Sequence, residues 1–202
     1  MILKYFYQFL LFLPILVISS SDQERITLSY NSFKDVNSIL LNDGWKYSPS
    51  EDSSWTNTYY NDSSWIKADP HLYPDSKITK DWKGVGWFRL EFNIDSTLYN
   101  KALRIAFYSA GDIQFYHNGD LIHKLYPDKE KSYENLQNVT IVFSSKGRQV
   151  FAIRFSNSDI EEFNNAGIMA GFELYIGLAD KYTAASYRYS SRIHPFKCFF
   201  LV

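Results

Sequence analysis

The 202 residues suffice for one sizeable domain, and an apolar share of 46% is ordinary for a globular chain. The net charge of −1 comes with scattered basic residues, which excludes a nucleic-acid-binding stripe and a polybasic membrane-surface segment. Cys198 stands alone, which excludes an intrachain disulfide framework and a multi-cysteine zinc site; the 18% aromatic content favours pleated, half-buried surfaces and so β-structure.

The chain starts with Lys4, an apolar run over 9–18, and then Ser19, Ser20 and Ser21. This is the pattern of a cleaved secretory leader, expected over 1–21. The run falls short of the roughly 20 residues that span a bilayer, and Pro14 suits a leader better than an anchor. No cysteine follows it, so lipid attachment there is excluded. An exported domain, periplasmic or extracellular, is expected over 22–179, held by core burial without disulfides.

"EDSSW" at 51–55 and "NDSSW" at 61–65 form a short repeat. Each predicts an Asx-type turn that pins an indole, Trp55 or Trp65, against a sheet; the alternative is that the two rings form a sugar platform. "DWKGVGWFRLEFNID" follows at 81–95. Gly84 and Gly86 allow a tight turn into a strand. Phe88, Leu90, Phe92 and Ile94 then face one way and Arg89, Glu91 and Asn93 the other, the period of two of a half-buried strand. Trp87 shares the Arg89 and Glu91 face, where its indole is expected to stack on the guanidinium.

The alternation recurs at Leu103, Ile105 and Phe107, at Val139, Ile141 and Phe143, at Phe151, Ile153 and Phe155, and at Phe172, Leu174 and Ile176. Several short alternating runs separated by polar breaks predict an antiparallel sandwich or barrel. Between them, "DIQFYHNGDLIHKL" places Asn118-Gly119 at the centre of a two-residue hairpin turn. Its register sets His117 opposite Asp120, Tyr116 opposite Leu121 and Gln114 opposite His123, so His117 and His123 are expected on opposite faces, as surface residues, which works against a shared metal. Residues 180–193 carry Tyr182, Ala185, Tyr189 and Ile193 at helical spacing and are expected as a short helix leaving the sandwich, or as an irregular tail.

No nucleophile elbow, zinc-protease motif or phosphate-binding glycine loop is present. "GVG" at 84–86 precedes a strand, not a helix. Glu161 and Glu162 are expected in a solvated loop, and neighbouring carboxylates of that kind do not converge on one bond. Asp159, Glu161 and Asn164 match no EF-hand spacing. No catalytic residue, metal or cofactor is expected.

"GVGWFRLEFNID", together with "LYNKALRIAFYSAGDIQFYHNGDLIHKL", resembles the sugar-binding jelly roll of glycoside hydrolase family 2 and its relatives. Gly84, Gly86, Trp87, Phe88 and Arg89 match that family's first block. Tyr116, Asn118, Gly119, Leu121 and Ile122 match its hairpin block, with His117 where the family has an apolar residue. The likeness covers about residues 40–178 and implies an all-β, antiparallel jelly-roll β-sandwich of the galactose-binding type, with a short C-terminal helix. The catalytic half of such hydrolases is a separate barrel of roughly 250 residues, which this chain has no room for. "NNAGIMAGFELYIGLADKYTAASYR" also resembles the exit of the extracytoplasmic sensor domains of bacterial membrane signalling proteins, where a membrane-embedded module follows. Pro195 and the end of the sequence stand where such a segment begins, which implies a truncated sensor.

The leading expectation is therefore a non-catalytic exported domain that senses a small molecule or carbohydrate for a membrane signalling protein. The alternative is a free-standing carbohydrate-binding module. The ligand-binding candidates are Trp82, Trp87, Arg89, Glu91, Trp55 and Trp65; Gly84, Gly86, Phe88, Tyr116, Asn118 and Gly119 are the framework.

Overall fold

The structure, a computed structural model, describes residues 25–126 and 137–181. Its strands are β1 (Thr27–Leu28), β2 (Ile39–Leu40), β3 (Trp45–Ser48), β4 (Ile66–Lys67), β5 (Val85–Ile94) and β6 (Ala102–Ser109). They continue as β7 (Asp112–His117), β8 (Asp120–Leu125), β9 (Gln137–Val142), β10 (Gly147–Ser156) and β11 (Phe172–Leu178). Two short helices join them, α1 (Lys77–Lys80) and α2 (Ile160–Asn165).

One sheet runs β4-β3-β5-β10-β7-β8, with β1 paired in parallel to the far end of β5; the other runs β2-β11-β6-β9. All other pairings are antiparallel. The chain is an all-β sandwich of the expected jelly-roll class. Its core comes from the predicted alternation: Phe88, Leu90 and Phe92 with Phe151, Ile153 and Phe155 on one side, Leu103, Ile105 and Phe107 with Phe172, Leu174 and Ile176 on the other, all at 0% exposure. Edge-to-face rings run along the first sheet, Phe92 to Phe151 at 4.8 Å and Phe151 to Phe115 at 5.0 Å, and Phe115 to Phe107 at 5.1 Å crosses to the second. Such contacts add about 0.5–1.5 kcal/mol each beyond burial.

The hairpin forms as expected at its tip. Asn118 and Gly119 both take positive φ, 50° and 99°, and His117 pairs with Asp120 and Tyr116 with Leu121. Asn118 also ties the turn to β10: its Nδ2 donates to Gln149 Oε1 and its Oδ1 accepts from the Val150 amide, each at 2.9 Å. Beyond the tip the register departs from expectation. A bulge between Phe115 and Tyr116 sets Phe115, not Gln114, opposite His123. The extra residue turns His123 to the core-facing side, against the Phe107 ring, while His117 packs against Phe143 and Phe151. Both histidines are thus half-buried on the inner side and not on opposite faces, each held at 2.9 Å by its own glutamine, Gln149 for His117 and Gln137 for His123.

One other element differs from the reading of the sequence, and one lies beyond the described residues. Glu161 and Glu162 lie in the first turn of α2 rather than in a loop, a segment anchored by buried Ile160. The exit helix expected over 180–193 falls almost wholly outside the described residues.

The two glycines before β5 act differently. Gly84 takes φ 91° with open space around it, so it serves the turn. Gly86 is needed for room: a Cβ there would stand 2.3 Å from Cε2 of Tyr47. Gly86→Ala is expected to cost about 1–3 kcal/mol by overpacking, read as a lower urea midpoint at unchanged m-value.

Candidate functional site

The outer face of β5 is not solvated. Trp87 is 3% exposed and Arg89 1%, because the segment between β3 and β4 folds over them. The paired repeats build that cover. In the first, Asp52 Oδ1 accepts from the Ser54 amide at 2.8 Å; in the second, Asn61 Oδ1 accepts from the Ser63 amide at 3.0 Å. The Asx-type turns are those expected, with one consequence hidden in the sequence. Because Asn61 serves the second turn, Asp62 is free to point inward.

Asp62 meets Arg89. Arg89 Nε donates to Asp62 Oδ2 at 3.0 Å, and Lys46 Nζ lies 2.6 Å from Asp62 Oδ1. Arg89 Nη1 donates to the Trp55 and Asn57 carbonyls. The guanidinium lies 5.6 Å from the Tyr60 ring centroid, so Tyr60 and not Trp87 provides its aromatic neighbour. Trp87 packs instead against Trp55 and Tyr116. One strand residue therefore fixes four points of the covering loop.

The cover leaves a cleft of about 680 Å³ between itself and the α1 segment, within the size range of small-molecule sites. Trp55, Tyr60 and Trp65 form one wall, with Trp65 5.0 Å edge-to-face on Trp55. Tyr47, Pro49, Ile66 and Ile78 add apolar surface, and Lys77, Asp81, Lys83, Ser48 and Ser64 add polar groups. The Tyr47 hydroxyl is buried and has no hydrogen-bond partner among the described residues. Burial first, then the Asp81 charge, push its pKa up to about 12. It is therefore protonated at neutral pH, able to donate and to accept.

Of the six residues singled out from the sequence, Trp55 and Trp65 line this cleft. Arg89 and Trp87 lie beneath the loop that forms it. Trp82 stacks on Tyr47 at 5.9 Å, and its Nε1 donates to the Asn157 carbonyl at 2.8 Å. Glu91 lies apart, its carboxylate shared between Arg148 and Arg25. Tyr47, Tyr60, Lys77, Asp81 and Lys83 were not legible as site residues. The β3–β5 pairing brings Tyr47 beside the segment that enters β5, and the 49–65 loop joins them where Asp62 reaches Arg89 across 27 positions; the one local signal was the repeated Ser-Ser-Trp.

A second cluster braces the α1 side. His71, only 6% exposed, bonds Asp69 through Nδ1 and Glu173 of β11 through Nε2, and stacks on Tyr73. Burial pulls its pKa down, but the bonds to Glu173 and Asp69 and their charges outweigh it, and the net shift is upward. Among the described residues no three His, Cys, Asp or Glu side chains gather into a metal-ligating group.

No protein-family model matches the chain, and no curated protein matches its sequence. Solved structures match it in fold. A glycosyl hydrolase family 2 member from Bacteroides cellulosilyticus aligns at TM-score 0.52 over 71% of this chain with 13% identity. A β-glucuronidase from Bacteroides uniformis aligns at TM-score 0.50 over 70% with 17% identity. The fold is that of a domain in glycoside hydrolase family 2 proteins. The chain spans about a fifth of their length, 21% and 18% respectively.

Asp62→Ala would leave the Arg89 guanidinium buried without its carboxylate, a loss of about 3–5 kcal/mol read by urea denaturation. Lys46→Ala, which removes the half-buried partner (24% exposed) and leaves Asp62 paired with Arg89, is expected to cost less than Asp62→Ala, about 1 kcal/mol. For His71 the folded state favours the imidazolium. Its stabilising contribution is complete below the ordinary pKa of 6.5 and is lost as pH rises through the raised folded value. Urea titrations from pH 5 to 8 should show that decline in the parent and not in His71→Gln.

Proposed function

We propose that this chain is a non-catalytic, exported ligand-binding domain that takes a saccharide in the cleft between the 49–65 loop and α1, and that it serves as the sensing portion of a membrane signalling protein. The observation that carries the reading is the cleft itself. Flat aromatic walls with a few convergent polar groups suit sugar rings, whose apolar faces stack while their hydroxyls hydrogen-bond. Trp65, half-buried, is the stacking residue; Trp55 supports it, and the exposed polar groups of the lining meet ring hydroxyls. Arg89 and Trp87 position the loop, and Trp82 backs Tyr47.

The sensing role rests on the leader-type pattern of residues 1–21 and on the exit pattern of 164–188. The non-catalytic reading rests on the small share of the hydrolases that the chain spans. A free-standing carbohydrate-binding module is the second reading, favoured by the fold shared with family 2 hydrolases.

The test is a broad glycan array with the purified full chain, followed by thermal shift. A saturable hit that raises the melting temperature and falls about fivefold or more in affinity in Trp65→Ala is expected, since stacking on an aromatic side chain is worth on the order of 1 kcal/mol or more. Array-wide silence would remove the saccharide reading.

A further inference from the structure

The charges around the cleft are unevenly settled. Behind the loop, Lys46 is paired with Asp62 and Arg154 with Glu51. In the cleft itself, Lys77, Asp81 and Lys83 are exposed, and none makes an ion pair with another described residue. Asp81 bears electrostatically on the buried, unpartnered Tyr47 hydroxyl. Two ammonium groups and one carboxylate thus rim an aromatic site with an excess of one positive charge and no partner within the described residues.

From this juxtaposition we infer that the cleft selects an acidic saccharide, one carrying a carboxylate on the ring that stacks on Trp65. The inference rests on the saccharide reading above and names its class. Lys77 and Lys83 meet the carboxylate. Asp81 meets a neutral ring hydroxyl as acceptor. A neutral sugar would leave both ammonium groups without a counter-charge. A strongly polyanionic ligand bearing sulfate or phosphate would crowd Asp81, so the geometry favours one carboxylate per stacked ring.

The experiment is calorimetric titration of the full chain with oligouronates of galacturonate, mannuronate and glucuronate type, each beside its carboxyl-reduced counterpart. The result expected is that at least one oligouronate binds about fivefold or more tightly than its reduced form at low salt, the scale of two exposed ion pairs. The K77Q/K83Q double variant, both positions being exposed, should abolish that preference, bringing the ratio of the two affinities to about one. Raising salt to about 0.5 M should shrink the preference as well. Equal or tighter binding of the reduced forms overturns the inference and leaves the saccharide reading standing. So does a preference that survives K77Q/K83Q, because the selecting groups then lie elsewhere. Failure of every oligouronate alongside neutral hits on the array overturns the inference alone. Failure of both sets removes the reading with it.

Discussion

A buried guanidinium organises this molecule beyond its core. Arg89 sits on the outer face of the central strand, where water would normally solvate it, and is closed off by a loop that it also holds. An arginine there is costly to bury unless its donors are met. Asp62 meets the charge at Nε and two main-chain carbonyls of the same loop meet Nη1, while Nη2 is buried with no hydrogen-bond partner among the described residues. The planar, multi-donor group is suited to this task in a way that lysine is not. The ion pair also gives the loop its register. With Asp62 fixed, Trp55 lands on Trp87 and Trp65 on Trp55, and a second small aromatic cluster forms outside the sandwich. The cleft is the gap between that cluster and the α1 segment.

The sandwich was readable in the sequence because its determinants are local. Alternation at Phe88, Leu90 and Phe92 reports the inner face directly, and Asn118-Gly119 reports its turn. Asp52 likewise reported its turn, whereas in the second repeat Asn61 makes the turn and the aspartate of the pattern, Asp62, points inward. The site was less readable because it depends on pairings distant in sequence. Arg89 looked like a ligand contact, since an arginine on the polar side of an amphipathic strand normally faces solvent; nothing local says that a loop 27 residues earlier covers it. The hairpin register failed for a related reason. A two-residue turn predicts strict opposition of residues, and the bulge at Phe115 and Tyr116 breaks that parity, carrying His123 inward.

The placement of the aromatics also separates two uses that composition alone confounds. Trp45 at 1%, Trp87 at 3% and Trp55 at 7% exposure are packing residues in the first instance. Trp65 and Tyr60, only partly buried, line the cleft with unburied ring surface. The fold places this arrangement among domains that family 2 hydrolases carry beside other parts of much longer chains. Loops held on a rigid scaffold are where binding groups are best positioned, and here the 49–65 loop is bolted down by one ion pair.

The central claim is that ligand enters between the clamped loop and α1, next to Trp65. The most direct measurement is a two-dimensional nitrogen–proton NMR titration of the five tryptophan indole signals with the tightest-binding glycan. The account predicts saturable shifts of the Trp65 indole, smaller shifts of Trp55, and none at Trp45. Shifts concentrated at Trp45, or binding that leaves Trp65 unmoved, would contradict it.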